Sequence, residues 1–146
     1  WTTSSGPGGC MDDVILNKVA IIERCVARVR EVHAGDDHNL TDDLTRQDSI
    51  LLNIQRACEA AIDLAMHLVR VHQLGVPQGS RDAFRLLSDA GHLEPGLAGV
   101  LERMVGFRNV AIHDYRKLDM DIVRAIIETQ LDDLLVFSAG AVRGAA

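Results

Sequence analysis

The chain has 146 residues, of which 47% are hydrophobic, 25% are charged and only 3% are aromatic. This length predicts a domain with its own core, since a soluble chain of this size buries roughly two-thirds of its unfolded surface. The 15 Lys and Arg residues against 21 Asp and Glu residues give a formal charge of −6. That balance argues against a protein coated in positive charge, and the few aromatic residues argue against a stacking ladder for single-stranded nucleic acid.

The N-terminal residues 1–10 read WTTSSGPGGC, with no formal side-chain charge and no periodic pattern. We interpret them as an expression-tag remnant, disordered or non-native, and assign residues 11–146 to a single helical domain. No stretch approaches 18 uninterrupted apolar residues, so we expect no transmembrane helix and no membrane partner. Cys25 and Cys58 lie in helical patterns far from any CxxC spacing, which indicates reduced, core-filling thiols and a cytoplasmic protein.

The first half of the chain reads as two amphipathic helices. The first covers about Asp12–His33, where apolar residues recur at spacings of three and four, and turn formers at 34–39 end it. The second starts at Thr41 or Leu44 and runs to residue 74, with Gly75 placed to stop it.

Both helices are apolar over a wide face. Each carries a second apolar row, with members Ile21, Val32, Ile50, Ile62 and Val69. One short bundle leaves part of such a surface uncovered, so we expect a dimer that buries the excess.

The second half of the chain predicts three more helices. A short one follows Ser80, which is a good N-cap, and ends at Gly91. The fourth begins near Pro95 and the last starts after Asp119. Nothing resembles the alternation of a β-strand, so the sequence predicts an all-α, up-and-down bundle of about five helices.

The most unusual segment is FRNVAIHDYRK at residues 107–117, which contains the only tyrosine of the chain. Side-chain charges from Arg103 to Lys117 sum to +3, so an acidic protein carries one locally positive stretch. An arginine can bind a phosphate with two donors, and a histidine can move a proton near neutral pH. Together they are the minimum needed to cleave an RNA phosphodiester with its own 2′-hydroxyl and no metal.

The spacing within this segment constrains the site. Arg108 and His113 are five residues apart, so on one helix they point about 140° from each other. Arg108 shares a face with Tyr115, whereas His113 shares a face with Asn109 and Arg116. Either the helix breaks between Arg108 and His113, or two copies of the segment meet across a twofold axis.

A structural interpretation of the same residues is open. In that case Arg108 pairs with a carboxylate, His113 ends a helix favourably and Tyr115 packs at the rim. A second polar group, Glu59, Asp63 and His67, lies at four-residue spacing on the second helix. It could line a cleft or bind a metal, but a solvated or dimer-facing stripe held by i,i+4 pairs is favoured, and we predict no metal site.

The run RNVAIHDY at residues 108–115 resembles the Arg-x4-His-x-Tyr pattern of HepT-like proteins in the HEPN superfamily. The polar residue after the arginine, Asn109, also fits the pattern. Outside the motif, the run ACEAAIDLAMHLV at 57–69 and the segment AFRLLSDAG before the motif helix are similar too. The resemblance extends over nearly all of residues 11–146.

The resemblance implies a homodimer whose two motifs face each other, and the activity of a metal-independent endoribonuclease toxin. It implies that Arg108 holds the scissile phosphate and that His113 acts as general acid or base. Further residues implied at the cleft or on RNA phosphates are Asn109, Tyr115 and Arg116, with Glu59 and Asp63 as supporting residues. The antitoxin would be an MNT-type nucleotidyltransferase that transfers AMP onto Tyr115.

An alternative function within the same fold is a non-catalytic binding module, or a partner subunit of a nucleotidyltransferase that uses the motif for docking. Neither function requires a cofactor.

Overall fold

The computed structural model describes residues 12–114 and 117–145, and every regular element in these ranges is helical, as predicted. The elements are α1 (Asp13–His33), α2 (His38–Thr41), α3 (Leu44–Val71), α4 (Ser80–Asp89), α5 (Pro95–Asp114), α6 (Met120–Ala125) and α7 (Leu131–Ala145). A π-helical turn at Ile126–Gln130 joins α6 to α7. Residues 1–10 lie outside the described ranges, so their interpretation as a tag remnant stays a prediction.

Helix α3 is the centre of the bundle. It packs antiparallel to α1 on one side and contacts α4 and α5 on the other, while α7 packs against α1, α3 and α5. The predicted stripe of α1 is buried at every position: Ile15, Val19, Ile22, Val26 and Val29. Burying an aliphatic side chain of this size stabilises the fold by about 1.5–3 kcal/mol, so the α1–α3 pair forms the main part of the core.

The ends of these helices differ from the prediction at two places. The turn formers at 34–39 lead into the one-turn helix α2, whose Leu40 is fully buried. Helix α3 ends at Val71 rather than at residue 74, because Gln73 takes a left-handed conformation with φ 56°. The Leu74 amide then donates to the carbonyl of Val69, which satisfies a free carbonyl at the helix end.

The second apolar rows do not supply the surplus surface that we expected. Ile50, Ile62 and Val69 are buried within one protomer, and Ile21 and Val32 are half-buried against the core. That argument for a dimer was therefore wrong, because α4, α5 and α7 cover α3 more completely than its pattern indicated. Exposed apolar side chains occur singly on several helices, and those beside the motif are Val110 and Ile112 on α5 and Ile122 on α6.

The C-terminal helix begins after Asp119, as predicted, and the Asp119 carboxylate accepts from the amide of Asp121. Its π-helical turn was not predicted. None of the helices in the described ranges is both long and apolar enough to cross a membrane.

The first residue of helix α4 contacts the arginine of the motif. Ser80 was expected to be the N-cap, but Gly79 takes that position in extended conformation and Ser80 is the first helical residue. The Ser80 hydroxyl therefore does not cap α4 and accepts a hydrogen bond from Arg108 instead. Helix α5 begins at Pro95, as predicted, with the Glu94 carboxylate accepting from the amides of Gly96 and Leu97.

Candidate functional site

Helix α5 carries most of the motif without interruption. Arg108, Asn109 and His113 all lie within it, and the helix ends one residue after His113. The predicted alternative in which the helix breaks between Arg108 and His113 is therefore wrong, and the separation of about 140° around the helix axis holds. Tyr115 and Arg116 lie outside the described residues.

Arg108 is directed toward the body of the bundle, and its side chain is only 16% exposed. Its Nη1 lies 2.8 Å from Oε1 of Glu59 on α3, and its Nη2 donates to Oγ of Ser80 on α4 at 3.1 Å. The contact with Glu59 is an ion pair whose alignment is too poor for a hydrogen bond, and Nε of Arg108 is buried with no partner in the described structure. Two helices thus fix the guanidinium and leave it with unused donors.

The thiol beside this ion pair is inert. Burial raises the pKa of Cys58 to about 12, and the Arg108 charge opposes that rise only in part. A protonated, buried thiol is a poor nucleophile, so Cys58 serves the core. Cys25 is also free and buried, and both thiols have the role that the sequence predicted.

The three polar residues of the α3 stripe each contact a different residue on another part of the chain. Glu59 contacts Arg108, Asp63 pairs with Lys18 of α1 at 3.1 Å, and His67 binds the carboxylate of Asp12. The predicted i,i+4 pairing was wrong, because α1 and α5 flank α3 closely enough to take these partners. Within the described ranges, no group of three or more His, Cys, Asp or Glu side chains could hold a metal ion.

His113 and Asn109 differ from Arg108 in that both are exposed. His113 lies in the last turn of α5, where the negative end of the helix dipole favours a cationic side chain. Taken alone, one protomer satisfies the structural interpretation of the motif, with Arg108 paired to a carboxylate and His113 at a helix end.

A cleft of about 460 Å³ that was not predicted from the sequence opens between the N-terminal half of α4 and α5. Its lining residues are Gln78, Gly79, Ser80, Arg81, Asp82, Arg85, Val105 and Asn109. Only the antiparallel packing of α4 on α5 brings Asn109 of the motif next to the arginines of α4. Glycines inside the helix, at Gly99 and Gly106, give no signal that singles out this cleft.

Comparisons with known proteins show a consistent set of relatives. The family described as "Ribonuclease HepT-like" matches residues 22–139. The "mRNA nuclease HepT" of Shewanella oneidensis is 46% identical over 127 residues, which are 87% of this chain and 95% of the relative. A "Putative RNase" of Archaeoglobus fulgidus is 30% identical over 105 residues, which are 72% of this chain and 77% of the relative.

Solved structures are similar over the same region. One is the tri-AMPylated Shewanella oneidensis HEPN toxin in complex with MNT antitoxin, with a TM-score of 0.84, 45% identity, and coverage of 89% of this chain and 97% of that chain. Another, a toxin–antitoxin with AMP-PNP, has a TM-score of 0.84, 44% identity, and coverage of 90% and 99%.

Proposed function

The chain belongs to the HepT-like ribonuclease family, and from this membership we propose that it is a toxin that cleaves RNA and is neutralised by an MNT-type nucleotidyltransferase. The resemblance found in the motif is thereby confirmed at the level of the family. The observation that carries the proposal is the placement of Arg108 and His113 on one helix within the matched residues 22–139. As part of this proposal the protein acts in the cytoplasm, as expected from the sequence.

The proposed chemistry uses the 2′-hydroxyl of the RNA as nucleophile. Its oxygen attacks the adjacent phosphorus, the bond to the 5′-oxygen breaks, and the products are a 2′,3′-cyclic phosphate and a 5′-hydroxyl. His113 takes the proton from the 2′-hydroxyl or supplies one to the leaving 5′-oxygen. Arg108 binds the non-bridging oxygens and stabilises the charge that develops on them, using donors that Glu59 and Ser80 leave unused.

A homodimer makes this chemistry geometrically possible. Arg108 and His113 of one protomer point about 140° apart, so a phosphate bound by Arg108 needs His113 from a second copy. The exposed Val110, Ile112 and Ile122 provide apolar surface beside the motif that a second copy could cover.

AMPylation of Tyr115 is the proposed means of control. The antitoxin would transfer AMP from ATP to the phenol oxygen and release pyrophosphate, adding negative charge and bulk where RNA must bind. The similarity to a tri-AMPylated HEPN toxin in complex with its MNT antitoxin supports this proposal. Because Tyr115 is the only tyrosine, intact-mass measurement of Tyr115→Phe after incubation with ATP and the antitoxin would show whether the modification is lost.

The activity is tested with purified protein and RNA in the presence of EDTA. Wild-type protein should cut the RNA and leave cyclic-phosphate ends, whereas Arg108→Ala and His113→Ala should not. Wild-type protein that binds the nucleotidyltransferase but never cuts RNA or inhibits growth would support the alternative, a non-catalytic HEPN-fold binding module.

The shared site is tested by mixing two inactive variants. Arg108→Ala and His113→Ala protomers, after exchange, form mixed dimers in which one of the two composite sites is intact. Activity should return to about a quarter of the wild-type level if Arg108 and His113 act across the twofold axis. No recovery after demonstrated exchange would place both residues of a site in one protomer.

A further inference from the structure

Arg81 and Arg85 lie one turn apart on α4 but differ in their partners. Its Nε donates to the backbone carbonyl oxygen of Glu102 at 3.3 Å, and the described residues place no carboxylate within ion-pairing distance of it. Arg85, by contrast, pairs with the Glu102 carboxylate at 3.0 Å. Arg81 is therefore an exposed guanidinium in the cleft whose charge is not neutralised by an acidic partner.

Gly106 leaves space for Arg81 against α5. A Cβ added at Gly106 would lie only 2.8 Å from Nη2 of Arg81, so the tip of the arginine would have to shift. The guanidinium therefore lies directly over the backbone of α5 at this position.

The register of α5 places Arg81 on the side of His113. Gly106, Asn109 and His113 follow one another at spacings of three and four residues, so they share one face of α5. Gly106 precedes His113 by two turns, about 10 Å along the helix axis. Arg81 packs over Gly106 and therefore lies on the same face of α5 as His113, with Asn109 between them. The Arg108 side chain points to a different side of α5.

The cleft itself suits an anion. Helix α4 begins there without a side-chain cap, so its first amide groups present partial positive charge. The one acidic side chain in the lining, Asp82, accepts from the backbone amide of Gln78 and keeps its charge, so the lining carries two arginines against one carboxylate. An RNA strand that passes His113 and continues along this face of α5 toward Gly106 would contact Arg81.

We propose that Arg81 binds an RNA phosphate that flanks the scissile one, with its guanidinium held by the Glu102 carbonyl in the space that Gly106 leaves open. The inference rests on the proposed ribonuclease function and extends its RNA site from α5 onto α4. Arg81 is assigned to binding and not to the chemical step, since it lies two helical turns from His113.

The test measures binding of a 2′-O-methyl RNA oligonucleotide, which lacks the nucleophile, by fluorescence anisotropy over a range of salt concentrations. Arg81→Gln should weaken binding about tenfold, and the slope of log affinity against log salt should fall by about 0.7. Gly106→Ala keeps every charge and only shifts the tip of Arg81, so it should weaken binding less than Arg81→Gln does. On cleavable RNA, Arg81→Gln should raise KM with kcat within about twofold.

The matched control is Arg28→Gln, which removes the same charge from α1, where Arg28 pairs with Glu31 outside the cleft. It should bind RNA as the wild type does. If wild-type protein cuts RNA but Arg81→Gln retains the wild-type affinity and salt slope, the inference is overturned while the proposed function stands. If wild-type protein neither binds nor cuts RNA, the proposed function fails, and the role of Arg81 fails with it.

Discussion

The surroundings of Arg108 and His113 differ although both residues lie on α5, five positions apart. Arg108 is largely buried and is held by Glu59 of α3 and Ser80 of α4. His113 lies exposed in the last turn of the helix. The protomer therefore fixes the proposed phosphate-binding group in advance, whereas the proposed proton-transfer group lies on a surface that only the proposed second copy would complete. Three substitutions test this difference, and a fourth tests a histidine pair outside the motif.

The largest effect is expected for His113→Ala. Loss of a general acid or base should lower kcat about 100- to 10,000-fold, since the reaction retains only binding and electrostatic stabilisation. Because His113 is exposed, the thermal unfolding midpoint should stay within about 1 °C of the wild type. Single-turnover cleavage and a thermal melt check the two expectations. Cleavage at the wild-type rate would remove His113 from the mechanism.

Arg108→Lys should change activity and stability together. A lysine has one compact ammonium group and cannot reach both Glu59 and Ser80 in the geometry of the guanidinium. We expect about a 100-fold loss of kcat and a loss of about 1 kcal/mol in the free energy of unfolding. Urea denaturation measures the second quantity. Full activity in the lysine variant would show that a point charge is sufficient at this position.

Glu59→Gln tests whether the carboxylate positions Arg108. The side chain keeps its shape but loses the ion pair, so kcat should fall about tenfold, which corresponds to about 1.4 kcal/mol of positioning. Stability should change by less than about 1 kcal/mol, because the Glu59 side chain is 45% exposed. Glu31→Gln is the matched control: Glu31 lies on α1 and pairs with Arg28, so the activity of this variant should equal that of the wild type.

A histidine outside the motif gives the smallest expected effect. His72 stacks on His92 with ring centroids 4.1 Å apart, and burial, with the neighbouring His92, lowers the pKa of His72. The unfolded chain therefore binds more protons than the folded one below about pH 6.5, so acidification through that range removes stability. The unfolding midpoint should fall less between pH 7.5 and 5.5 in His72→Gln than in the wild type, by about 2 °C or less. An equal fall in both proteins would contradict this coupling.

The sequence predicted those parts of the molecule that depend on local pattern. The stripes of α1 and α3, the start of α5 at Pro95 and the Arg-to-His spacing all follow from periodicity and end signals along one helix. The role of Ser80 was missed, because a good N-cap residue that lies one position inside its helix cannot be identified without knowing that Arg108 approaches it. The contact of Arg81 with Gly106 depends likewise on how α4 packs across α5.

The expected dimer shows a different limit of prediction from sequence. The expectation rested on Ile50, Ile62 and Val69, which one protomer buries. Apolar periodicity shows that a face is covered but not whether the same chain or a second copy covers it. The relevant surface on α5 and α6 emerged only once the other helices were in place.

The π-helical turn at Ile126–Gln130 has a consequence for how chain length can vary. Val123 and Leu131 are both fully buried although they are eight residues apart, a spacing that would separate them by about 80° on a regular α-helix. Deletion of one residue from the turn would leave seven, and a continuous α-helix would then keep both side chains inward. A homologue with a one-residue gap at this point can therefore retain the fold, and sequence alignments across the C-terminal helix should allow for it.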